Sequence, residues 1–179
     1  MVWLNWGLTD EDLAQMPATI QRSFSRSMID PDEKEVRTGL GADLGDGKGR
    51  CLMAGEWNSE IYGPLADMVA ADDVHCAKNR MSGMWTPEQP LWKHLTTSGK
   101  RTLLFAGVNT DQCVYGTLVD AYSAGWDCIM LEDCCGTKTV GAQEVCKLNM
   151  VVSRNPTLHT YSTLHSAWSI FPSLMTVWS

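Results

Sequence analysis

The chain has 179 residues, 44% of them apolar, and carries 14 Lys+Arg against 21 Asp+Glu for a formal net charge of −7. At about 150 residues per domain this is one domain with one real core, which excludes a fibre, a coiled coil or a disordered tail. The acidic balance lacks the basic footprint of a nucleic-acid binder, and no run of ~18 apolar residues offers a membrane span, so neither partner is expected.

Met1 to Leu4 is a short apolar run ended by Asn5, Trp6 and Gly7, and it reads as a buried strand. The start has no basic region followed by a long apolar one, so a cytoplasmic protein is expected. Thr9 followed by Asp12 has the pattern of a capping box, opening a helix from about Asp10 to Phe24 with Pro17 as its weak point. From Ser25 to Arg50 the composition turns polar, and Gly39, Gly41, Gly45, Gly47 and Gly49 mark a loop. The spacing fails a phosphate-cradling loop, because five residues separate Gly41 from Gly47 and Lys48 is followed by Gly49. It fails a calcium loop too, since Asp43 and Asp46 lack alternate-position partners, which leaves a flexible or lid loop.

Leu65 to Ala71 reads as a short helix and Val74 to Ala77 as a short strand ending on Lys78. Pro87 and Pro90 open a helix to about Thr97, with Leu91 and Leu95 on its inner face and Ser98-Gly99 at its close. Thr102 to Ala106 is continuous and apolar, as a strand buried on both faces should be, and Gly107 to Asp111 is the turn after it. Val114, Thr117, Leu118 and Ala121 recur at i, i+3, i+4 and i+7 and predict a helix over Gln112 to Ala124, stopped by Gly125. Cys128 to Leu131 is the next strand, and Glu132 to Thr137 the next turn. Strand, helix and strand in about thirty residues make a parallel crossover, so the class is α/β. Met150 to Ser179 is Ser/Thr-rich, with Trp168, Phe171 and Trp178, and shows no sustained period.

In open parallel sheets ligands sit beyond the carboxyl ends of the strands, which singles out Asn5-Trp6, Lys78 and the turn Gly107 to Cys113. A cysteine in the first turn of a helix meets unpaired N–H groups and the positive dipole end. Those stabilise a thiolate and can hold an oxyanion, so Cys113 is the candidate nucleophile. A lysine near a thiol favours its ionised form and can polarise a carbonyl, which is the role open to Lys78. His75 is a spare base if it shares Lys78's face. His94, His159 and His165 have no metal-type spacing with any acid. Cys51, Cys76, Cys128, Cys134, Cys135 and Cys146 bring the thiols to an odd seven with no C-x-x-C pair, which fits reduced thiols rather than a disulfide framework or zinc ribbon.

The run Gly107-Val-Asn-Thr-Asp-Gln-Cys113, then Asp120-Ala-Tyr-Ser-Ala-Gly125 and Leu131-Glu-Asp133, resembles the nucleophile segment of the isochorismatase-like cysteine hydrolases. Upstream, Lys78-Asn-Arg-Met-Ser82-Gly83 resembles that family's catalytic-lysine segment. The resemblance covers about Val2 to Asn149. It implies a Rossmann-like three-layer α/β/α fold with a mainly parallel sheet over residues 1–149, and leaves 150–179 unassigned. It implies an Asp-Lys-Cys triad that hydrolyses the C–N bond of a small amide or carbamoyl compound through an acyl-enzyme. It also implies a cis Val108–Asn109 bond, an oxyanion hole from the N–H groups of Asn109 and Cys113, and a homo-oligomer. Asn5, Trp6, Trp85 and Tyr115 are the expected substrate contacts. Family members with a metal hold it through an Asp-x-His segment where this chain reads Asn5-Trp6-Gly7, so no metal or other cofactor is expected. The family's aspartate ends its first strand, and this chain begins at what resembles the second. No residue matches that aspartate, and two inner strands are expected to lack a partner. An inactive or truncated member that binds a small molecule is the alternative.

Overall fold

The fold is set by apolar runs that need cover on both faces. The computed structural model describes residues 1–24, 26–29, 35–152, 158–161 and 175–178; at 26–29, 35–38, 151–152, 158–161 and 175–178 it describes the backbone alone. In chain order the elements are β1 (Val2–Trp6), α1 (Asp10–Gln15), α2 (Ala18–Ser23), β2 (Arg26–Ile29), β3 (Glu35–Thr38), α3 (Gly63–Ala66) and β4 (Val74–Lys78). There follow α4 (Pro90–Ser98), β5 (Thr102–Val108), α5 (Tyr115–Ser123), β6 (Asp127–Gly136), α6 (Ala142–Val152), β7 (Leu158–Tyr161) and β8 (Met175–Trp178).

Six strands form one sheet in the order β4-β1-β8-β5-β6-β7. The β5–β6, β6–β7, β5–β8 and β1–β8 pairs are all parallel, as the crossover reading requires. β8 corrects one expectation. It runs between β1 and β5 and pairs with both, Val2 with Val177 and Phe105 with Val177, so these inner strands do not lack a partner.

The chain divides into two compact units. The first comprises Met1–Leu4, Val69–Cys76 and Met81–Ser179. Its core gathers Val2, Leu4, Leu91, Leu95, Leu103, Phe105, Leu118, Ala121, Cys128 and Met130, all buried. Leu104, Ala106, Ile129 and Leu131 form a second cluster, so β5 and β6 are buried on both faces, which is why they read as unbroken apolar runs. β6 continues to Gly136 where a turn is expected from Glu132. The reason is an irregularity between Phe105 and Gly107, past which pairing resumes as Gly107 with Cys135 and Val108 with Gly136.

The second unit comprises Asn5–Met68 and Ala77–Arg80. The expected long helix is split into α1 and α2, because Met16, held before Pro17, is extended (φ −72°, ψ 127°). The capping box is present, with the Asp12 amide donating to the Thr9 hydroxyl and Asp12 accepting in return. Where a flexible loop is expected over Ser25 to Arg50, the described residues 26–29 and 35–50 are paired. β2 and β3 pair antiparallel, and the glycine-rich part is a tight reversal in which the Gly41 amide donates to the Cys51 carbonyl and the Cys51 amide to that of Ala42. Gly49 suits that reversal because its φ of 74° lies in the left-handed region that side chains disfavour. Trp57 and Asn58 donate to the Lys48 carbonyl, and Leu8, Met16 and Met53 form the unit's core. Among the described residues no helix is long and apolar enough to cross a membrane.

Candidate active site

β5 delivers its carboxyl end to the turn that carries Cys113. The Val108–Asn109 peptide bond is cis, as the resemblance implies. Thr110–Val114 then wind as a single wide π-turn in which the Gln112 and Val114 amides both donate to the Asn109 carbonyl, at 3.0 and 3.3 Å. Such turns are uncommon and recur at functional positions. Cys113 is 7% exposed. Its carbonyl accepts the Thr117 hydroxyl at 2.7 Å, and the same buried hydroxyl accepts the Gly83 amide at 3.2 Å. Thr117 therefore links Gly83, the last residue of the lysine-segment motif, to the nucleophile turn. Its place on the apolar face of α5 is legible in the sequence, but the use of its oxygen is not. Thr110 is fully buried, and its hydroxyl has no hydrogen-bond partner among the described residues. Tyr115 is half-buried against the core, while Trp85 is 46% exposed.

Lys78 ends β4 and is only 2% exposed. Burying an ammonium requires compensation, and here it lies over the Trp6 ring, 4.7 Å from the centroid. Trp6 is held in turn by an edge contact with Phe24 at 4.9 Å. His75 does not share this face: Cys76 and Lys78 are buried while His75 is exposed, because residues three apart on a strand point to opposite sides. The Asn5 side chain donates to the Ser59 carbonyl at 3.2 Å. Beside Lys78, the Asn79 side chain donates from Nδ2 to Asp12 Oδ1 at 2.6 Å. Burial works against the Asp12 charge, but hydrogen bonds from Asn79 and Thr9 and the Arg80 cation hold its carboxyl below the usual 3.8. Asn5, Trp6 and Lys78 belong to the second unit, and Trp85, Asn109, Cys113 and Tyr115 to the first.

The other six thiols are held in the protonated form. Burial pushes Cys76 up to about 11 and Cys128 and Cys135 up to about 12, and it raises Cys51, Cys134 and Cys146 as well. No three His, Cys, Asp or Glu side chains among the described residues are grouped to hold a metal ion.

The isochorismatase domain family profile matches residues 23–160. The chain belongs to the isochorismatase family. The ureidoacrylate amidohydrolase RutB of Variovorax paradoxus is 33% identical over 85 residues, which are 48% of this chain and 32% of that relative, so the match spans about a third of the relative's length. Among solved structures, an isochorismatase family protein from Desulfovibrio vulgaris superposes with a TM-score of 0.59 at 23% identity, over 73% of this chain and 70% of that one. The N-carbamoylsarcosine amidase from Thermoplasma acidophilum gives 0.57 at 18% identity, over 89% and 69%. These superpositions establish the isochorismatase-like α/β fold.

Proposed function

We propose that this chain is a cysteine hydrolase that cleaves the C–N bond of a small amide or carbamoyl compound. The observation that carries the reading is the buried Cys113 on a π-turn at the carboxyl end of β5, inside the segment matched by the family profile. The relatives named as an amidohydrolase and an amidase support the C–N bond as target. In this reading the Cys113 thiolate attacks the carbonyl carbon, and the N–H groups of Asn109 and Cys113 take the developing oxyanion. The C–N bond breaks and the amine leaves carrying the proton that the Cys113 thiol gave up; water then adds to the thioester, releasing the acid and restoring the thiol. The family resemblance assigns Lys78 as the source of positive charge and Asn5, Trp6, Trp85 and Tyr115 as substrate contacts. The same reading sets the protein in a reducing cytoplasm, as its free thiols favour, and assembles it as a homo-oligomer.

A second reading, a family member that binds a small molecule without turning it over, is favoured by one observation. β8, between β1 and β5, reads Met-Thr-Val-Trp and has no carboxylate to serve as the family's base. Incubation with a panel of small amides and ureido compounds, read by release of ammonia or amine, separates the two. The hydrolase reading expects turnover that Cys113→Ala abolishes. Equal activity in that variant removes the nucleophile assignment, and a thermal shift without turnover favours the binding protein.

A further inference from the structure

The turn carrying Cys113 is held on its other side by a residue the proposed chemistry does not use. Asp111 is the second residue of the π-turn, and its carboxylate accepts the Thr137 hydroxyl at 2.5 Å. The Thr139 amide donates to that same Thr137 oxygen at 3.2 Å. Both threonines follow the end of β6, which lies here because β6 resumes pairing with β5 through Cys135 and Gly136. The backbone ladder thus secures the chain as far as Val108, and the next cross-link to the β6 side is the Asp111 carboxylate.

The acid's surroundings argue against a role as proton acceptor for the thiol. Burial opposes its charge, yet the bond from Thr137 keeps the carboxyl below its usual value, so it is ionised and engaged at neutral pH. The titratable group that feels it from the neighbouring helix is Cys146 on α6, whose thiol the Asp111 charge helps to raise. We propose that Asp111 is a positioning residue, whose carboxylate, bonded to Thr137, fixes the Asn109–Cys113 turn against the end of β6 and so sets how the Cys113 thiol and its neighbouring N–H groups are presented. This rests on Cys113 being the nucleophile.

The test is the rate of alkylation by iodoacetamide at pH 7, read thiol by thiol by peptide mass spectrometry on the full chain. In the parent protein Cys113 should be alkylated faster than Cys51 and Cys134; a Cys113 no more reactive than these removes the nucleophile reading itself. Asp111→Ala and Thr137→Val should slow alkylation of Cys113 by about tenfold, because a loosened turn no longer aligns its dipoles on the thiolate. Simple removal of a negative charge predicts a faster reaction for Asp111→Ala and no change for Thr137→Val. Asp111→Asn keeps an acceptor for Thr137 and should stay near the parent. A rate unchanged or raised in both Asp111→Ala and Thr137→Val overturns the positioning role while leaving the nucleophile assignment intact. The charge-neutral Thr137→Val alone decides the matter if Asp111→Ala does not fold.

Discussion

Replacing Thr117 by valine removes one oxygen that two buried backbone groups share. The Gly83 amide, 3.2 Å from that oxygen in a buried setting, loses its acceptor, and the Cys113 carbonyl loses a donor at 2.7 Å. A buried N–H left unpaired costs about 1–3 kcal/mol, and the added methyl returns part of that as apolar burial, so a net loss of about 1–2 kcal/mol is expected. At about 2–4 °C per kcal/mol for a chain of this size, the melting temperature should fall by roughly 2–8 °C. The decisive readout is hydrogen exchange at Gly83: its amide should lose protection in Thr117→Val and keep it in Thr117→Ser, which retains the hydroxyl. Unchanged protection in the valine variant, or equal loss in both, would refute the shared-oxygen account.

Gly83 itself should not tolerate a side chain. A Cβ there would sit 2.7 and 2.8 Å from the two terminal carbons of the fully buried Leu4, so Gly83→Ala should cost about 1–3 kcal/mol in a urea unfolding series. Pairing it with Leu4→Ala should recover part of that cost, and strict additivity would argue against the clash. The Asp12 carboxyl is lowered on folding, so its contribution is complete above its unfolded value of 3.8 and disappears as the pH falls below it. Asp12→Ala should therefore lower the melting temperature at pH 7, through the lost capping box and the lost bond to Asn79, with the gap to the parent closing on acidification toward pH 3. A gap independent of pH would sink this assignment.

The sequence makes visible those parts of the fold that depend on continuous or periodic burial. β5 and β6 are apolar runs because both faces are covered, and the period of Val114, Thr117, Leu118 and Ala121 places the buried face of α5. Cys113 and Lys78 are legible because each follows or ends a strand in a parallel arrangement. The extension of β6 through Glu132 to Gly136 is not, since those residues are paired but only partly covered and their polarity imitates a turn. β7 and β8 are four residues each, too short for a pattern to rise above the Ser/Thr-rich background. The Trp6 ring over Lys78 is hidden for another reason: the two are far apart in sequence, and an aromatic residue gives no local sign that it faces a cation.

The place of β8 bears on how the chain is made. Its partners β1 and β5 precede it by many residues, yet they reach each other through it. As the polypeptide leaves the ribosome, β1 with β4 and β5 with β6 can each form early, but the sheet cannot be joined until the segment around residues 175–178 has emerged. Contacts of such long sequence separation close slowly. During synthesis the facing edges of β1 and β5 therefore stay unpaired until that segment arrives.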